Sequence, residues 1–186
     1  MRADFKVVLD ACVLANFGVC NLMLRLAETP RLYLPRWSEE ILRETEKTHL
    51  DELGWPPALA SSFQARLRDA FPEALVTGHE ALIGECRNDP KDRHVLACAI
   101  RCQAEMIATF NLRDFPAEAL TPWNVYAEHP QEYLLALYSM DPVIVLHKLE
   151  AIARKRTRPV EDQLIELGRF VPAFSQRVLS DLSEAS

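Results

Sequence analysis

Residues 89–115, DPKDRHVLACAIRCQAEMIATFNLRDF, read as helix, turn, strand and acidic loop, and the fold turns on this reading. Asp89-Pro90 is a helix start: Asp accepts from free amides, and Pro fits the first helical position without losing a needed hydrogen bond. Asp92 then falls in the first turn. Val95, Leu96 and Ala99 follow at helical spacing, so Asp92 shares the apolar face and points inward. Met106-Ile107-Ala108-Thr109 suits a short buried strand, with Asn111 and Asp114 in the connection beyond its carboxyl end.

Toward the amino terminus, Phe5–Leu9 (FKVVL) is a β-prone run ending at Asp10, which stands where open α/β sheets place a ligand crevice. Asp10 also suits capping the helix that follows. Arg31–Leu34 is expected to form a second strand ended by Pro35. Ser38 with Glu39 and Glu40 starts a helix whose apolar side carries Ile41, Leu42, Thr45 and Leu53. Glu44 flanks that side and is within reach of a pocket, whereas His49 shares it and reads as a packed histidine. Ala58–Phe71 resumes as helical scaffold, and Ala74–Thr77 as a short strand.

Toward the carboxyl terminus, Trp123–Tyr126 suits an edge strand, after which every signal is helical. Breaks at Asp141-Pro142, Thr157-Arg158-Pro159 and Val171-Pro172 divide this region into short helices. Their apolar faces carry Leu134, Leu137, Val143, Leu149, Leu164 and Ile165. The alternation of β and α elements argues for an α/β fold with a central, mainly parallel sheet. Residues 1–128 form the sheet domain in this reading, and 129–186 an all-helical C-terminal extension.

With 186 residues, 49% hydrophobic and 26% charged, the chain can build one domain with a sizeable core. The net charge of -6 argues against a general nucleic-acid coat, although Arg87, Lys91 and Arg93 crowd one loop and Arg154-Lys155-Arg156 with Arg158 makes a second basic cluster. Five scattered cysteines argue against a disulfide framework and for reduced thiols, including Cys98 and Cys102 on the helix of His94. No apolar run approaches the roughly 20 residues of a membrane span, and the first residues lack signal-peptide features. A cytoplasmic protein without a membrane partner is the expectation.

Several carboxylates converging without a basic partner would take up protons unless a hard cation holds them ionised. Mg²⁺ or Mn²⁺ is the natural occupant. Such an ion activates water and neutralises phosphoryl charge, so the expected reaction is phosphodiester hydrolysis.

Four stretches taken together, VVLDACVLAN around Asp10, SEEILRETEKTHL around Glu44, DPKDRHVLACAI around Asp92 and IATFNLRDF with Asn111 and Asp114, resemble PIN domain nucleases, and among them VapC-like toxins. The resemblance spans residues 5–127. It implies a PIN-like three-layer α/β/α sandwich in which Asp10, Glu44 and Asp92 are core acids of a metal site, Asp114 a less constant fourth and Asn111 its neighbour. It also implies an endoribonuclease acting on structured RNA such as transfer or ribosomal RNA, a cognate antitoxin, and a homodimer. Two positions depart from the pattern. Cys12 replaces a small hydroxyl or amide residue and is expected to lack its hydrogen bonds; Asn111 replaces a frequent Asp and leaves one-metal occupancy open. The competing reading is a non-catalytic RNA-binding or antitoxin-binding PIN-like module. A dehalogenase-like phosphatase needs a second Asp where Cys12 stands.

Overall fold

The computed structural model describes residues 4–184. Five parallel strands form one sheet in the order β3-β2-β1-β4-β5: β1 Lys6–Leu9, β2 Leu34–Ser38, β3 Leu75–Val76, β4 Met106–Ala108 and β5 Tyr126–Glu128. Val7, Val8 and Leu9 of the central strand are fully buried, as an apolar run covered on both faces must be. The covering layers are helices. Of these, α1 (Ala11–Ala15) and α2 (Phe17–Ala27) follow β1, α3 (Glu39–Lys47) and α4 (Pro57–Ala70) follow β2, and α5 (Arg93–Cys102) precedes β4. The helix α5 packs on β1, β2 and β4, and α2 packs on β2. This is the PIN-like α/β/α sandwich.

Pro35 lies inside β2 and does not end it, so the second strand is displaced from the expected Arg31–Leu34. The reason is the ladder. Leu34 donates its N–H to Phe5 O of the neighbouring chain segment, which turns residue 35 toward the β3 side, where pairing begins only at Trp37 opposite Leu75. A residue without an N–H loses nothing there. The edge strand is likewise displaced, from Trp123–Tyr126 to Tyr126–Glu128. Thr121–Trp123 forms a helical turn closed by Asn124 in a left-handed conformation, φ 55°, and only then does the chain reach the sheet edge.

After the small helix α6 (Ala117–Leu120), the C-terminal segment forms α7 (Pro130–Met140), α8 (Pro142–Lys155), α9 (Val160–Leu167) and α10 (Pro172–Glu184). Its apolar stripes join the same core as the sheet. Tyr133 of α7 meets the Tyr33 ring edge-on at 5.5 Å, and α8 packs against α2. The buried Lys148 ammonium donates to Glu28 O at 3.2 Å and Thr29 O at 3.1 Å, so its charge is hydrogen-bonded at the end of α2. Val143 and Ile165 depart from the expected apolar faces and are exposed. Val143 sits in the first turn of α8 beside its Asp141 cap, and in the short α9 Leu164 and Leu167 already form the single buried stripe.

Leu53 also leaves the face expected of it. The helix after Lys47 loosens into a π turn, Thr48–Glu52, which alters the angular step per residue and puts Leu53 52% in solvent. His49, in the same turn, is fully buried and stacks on Trp55 with ring centroids 3.9 Å apart, the packed histidine that its position suggested.

Candidate active site

A cleft of about 940 Å³ opens at the carboxyl end of the sheet. Asp10, Glu44, Asp92 and Asn111 line it together, brought from the ends of β1 and α3, the start of α5 and the loop after β4. Asp114 is not among its lining residues. Its carboxylate accepts a hydrogen bond from Lys91 Nζ at 2.9 Å, and the same ammonium stands 3.7 Å from Asp92 Oδ2.

Asp10 is 3% exposed and held from three sides. Its Oδ1 accepts from Ala11 N at 2.7 Å, which caps α1, so the structural role foreseen for Asp10 is present alongside its place in the cleft. Its Oδ2 accepts from Thr109 Oγ1 at 2.7 Å and from the Cys12 thiol at 3.2 Å. Cys12 therefore does hydrogen-bond to the carboxylate, contrary to the expectation from its chemistry. Burial, with the Asp10 charge beside it, pushes the thiol up to about 12, so it remains a protonated donor. Phe110 N donates to the same sulfur at 3.3 Å, which ties the first strand's end to the fourth.

Thr109 carries a role that its sequence position did not reveal. It reads as the last residue of a buried strand; only the register of β1 on β4, Leu9 opposite Ala108, places its hydroxyl against Asp10. Its Oγ1 also accepts from Asn111 N at 3.0 Å, so one hydroxyl positions both. Thr109→Val is expected to cost about 1.5–3 kcal/mol, the range for a lost hydrogen bond to a charged group, measured by urea unfolding of both proteins.

Burial raises the Asp10 carboxyl above its ordinary range despite the three donors, and Glu44 adds to the rise. Burial likewise lifts Asp92 to about 6, with the Asp10 charge next in weight and Lys91 opposing. The Asp92 Oδ2 atom is buried and accepts no hydrogen bond. Glu44 meets the buried His94, whose Nε2 stands 3.0 Å from Oε1, while Glu40 Oε2 is 3.9 Å from the other ring nitrogen. Burial works against the charged ring, yet pairing with Glu44 outweighs it and His94 is held above its usual range. His94 thus turns toward the glutamates rather than joining Cys98 and Cys102 as a soft ligand set, and all five cysteines are free thiols. Among the described residues no three His, Cys, Asp or Glu side chains already form a closed metal-binding group. The donor chemistry nevertheless fits a hard cation: oxygen ligands, of which Asp10 and Asp92 are both raised first by burial and then, for Asp92, by the Asp10 charge, and one carboxylate oxygen that accepts no hydrogen bond.

Compared with known proteins, the chain is 33% identical over 135 residues to "Putative ribonuclease VapC50" of Mycobacterium tuberculosis (strain ATCC 25618 / H37Rv), an alignment covering 70% of this chain and 78% of that protein. The chain belongs to the VapC-like PIN domain family. No protein-family model matches it, and no solved structure matches it. Membership in the VapC-like family agrees with the five-stranded parallel sheet and with the cleft at its carboxyl end. In this VapC-like chain no helix among the described residues is long and apolar enough to cross a membrane.

Proposed function

We propose that this protein is a metal-dependent endoribonuclease, hydrolysing phosphodiester bonds in structured RNA such as transfer or ribosomal RNA, and that it is the toxin of a toxin–antitoxin pair. The observation that carries the reading is the meeting of Asp10, Glu44 and Asp92 in one cleft, with Asp92 Oδ2 accepting no hydrogen bond. Family membership and the ribonuclease named in the relative support it. Asp10, Glu44 and Asp92 would hold Mg²⁺ or Mn²⁺, with Asp114 and the weaker donor Asn111 joining from the loop after β4. When bound, such an ion supplies activation of a water and neutralisation of phosphoryl charge.

The chain's own residues do the positioning. Thr109, Cys12 and the Ala11 amide fix the Asp10 carboxylate, so it does not reorganise when a cation arrives. His94 fixes Glu44 from behind. Lys91 balances Asp92 and Asp114 and keeps a cation at the mouth of the cleft, where an RNA phosphate would approach. Residues 1–128 carry the chemistry in this reading. A cytoplasmic location, a homodimer and an antitoxin that inserts a basic side chain among the carboxylates complete it.

The test is incubation of the purified chain with total RNA and Mg²⁺ or Mn²⁺. Wild type is expected to cleave, and chelation by EDTA or the Asp10→Asn substitution to stop it, with circular dichroism unchanged. Absence of cleavage under every metal would favour the non-catalytic module instead.

A further inference from the structure

The outer wall of the cleft is apolar and lies opposite chemistry that has no use for it. Phe17 and Phe170 are each 48% exposed and Leu53 is 52% exposed, and all three line the cleft with Trp55. Side chains of this size, left half in water on one concave surface, mark a place that something covers. Phe170 belongs to the turn after α9 and Glu166 to α9 itself, so the C-terminal helices build part of the wall.

The same helices bring charge. The end of α8 and the turn that follows it, residues 154–158, hold four basic residues and no acid in a chain of net charge -6. Arg156 lies over the Phe17 ring at 5.2 Å, and both Arg156 and Arg158 bind the carboxylate of Glu166. Two guanidinium groups on one carboxylate leave a positive lip. Arg158 and Arg169 face a second hollow of about 400 Å³, lined also by Ile165, Asp162 and Glu166, the last shared with the main cleft and already bound by Arg156 and Arg158. Arg156, Arg158 and Arg169 outnumber Glu166 and Asp162 around the hollow, and an aromatic wall joined to such guanidinium groups matches the two parts of a nucleotide: a flat base and a phosphate.

We propose that this wall is a base-stacking subsite: Phe17 and Phe170 receive an unpaired base of the RNA, and the hollow at Arg158 and Arg169 receives the phosphate next to it. The proposal rests on the nuclease reading for the identity of the ligand. It assigns the C-terminal helices a part in choosing unpaired over duplex RNA. In a duplex the base faces are already stacked, so the wall selects loops. The cleft volume accommodates more than one nucleotide, which allows a base on the wall while a phosphate reaches the carboxylates.

The experiment measures binding by fluorescence anisotropy in Mg²⁺, using the full chain carrying Asp92→Asn, with a labelled unpaired oligoribonucleotide and its duplex. Adding Phe170→Ala should weaken binding of the unpaired strand on the order of tenfold, with the duplex little changed. Phe170→Trp should retain affinity, and Phe170→Leu, of similar volume, should not. Arg169→Gln should lower the slope of log affinity against log salt by about 0.7. Thermal unfolding of each variant, close to that of the parent, excludes loss of fold as the cause. Unchanged affinity in both Phe170→Ala and Arg169→Gln overturns the subsite and assigns the wall to a protein partner, as does failure of the unpaired strand to bind. Cleavage by wild type with Phe170-independent binding sinks this proposal alone. Phe170-dependent binding without cleavage sinks the nuclease reading alone.

Discussion

Asp92→Asn is expected to abolish metal-dependent RNA cleavage and, in the absence of metal, to make the protein more stable. Both effects have one cause. The Asp92 carboxyl, at about 6 against an ordinary 3.8, is raised first by burial and then by the Asp10 charge. Below pH 4 it is protonated in both folded and unfolded chains and contributes nothing. Between pH 4 and 6 the unfolded chain releases its proton while the folded one keeps it, so stability falls as pH rises. Above pH 6 the penalty is constant. A gap of roughly two pH units, at about 1.36 kcal/mol each, sets a ceiling of about 3 kcal/mol. The neutral amide removes that penalty, so urea unfolding with EDTA should show the gain at pH 7.5 and none at pH 4. Divalent metal relieves the same repulsion, so Mn²⁺ should raise the melting temperature of wild type more than that of the variant. Loss of a direct ligand should reduce cleavage on the order of a hundredfold or more, the upper range for removal of groups that merely support a ligand. A variant that cleaves normally, or one destabilised at neutral pH, would remove Asp92 from the site.

A chain ending at residue 128 is expected not to fold. Tyr133, Leu134, Leu137 and Leu149 are fully buried in the core shared with the sheet. Each contributes about 2 kcal/mol by burial, or about 8 kcal/mol for the four, against a total stability of about 5–15 kcal/mol for a typical domain. Truncation also exposes the faces of Tyr33 and α2, and leaves Glu28 O and Thr29 O without the Lys148 ammonium. Circular dichroism of residues 1–128 should therefore show no cooperative thermal transition. A sharp melt would show that the sheet domain stands alone and that the helices are an accessory.

The parts of this molecule legible in its sequence are those set by local chemistry. Asp10 after β1 and Asp92 at the start of α5 are marked by strand and helix signals only a few residues away, and Glu44 by its place on an amphipathic helix. Ser38 caps α3 as its type suggests, accepting from Ile41 N. What lay hidden depends on neighbours remote in the chain. Pro35 looks like a strand end until the short reach of β3 is known. Thr109 looks like core until the β1–β4 register aims its hydroxyl at Asp10. A regular 3.6-residue wheel puts Leu53 on the apolar side, and the π turn breaks that wheel. Asp114 reads as one more converging acid, yet its contact is with Lys91, a residue whose direction no periodicity fixes. The union of the C-terminal helices with the sheet core is hidden for a similar reason, since amphipathic stripes show that a face is buried but not against what.

The stacking of His49 on Trp55 has an optical consequence. Of the three tryptophans, Trp37 is buried in the core and Trp123 sits near the sheet edge, whereas Trp55 lines the cleft with an imidazole flat against it at 3.9 Å. Burial lowers the His49 proton affinity, so at neutral pH that imidazole is uncharged and a weaker quencher than its cation. The cleft thus carries its own fluorophore, one indole whose emission follows what enters while another, shielded in the core, serves as an internal reference.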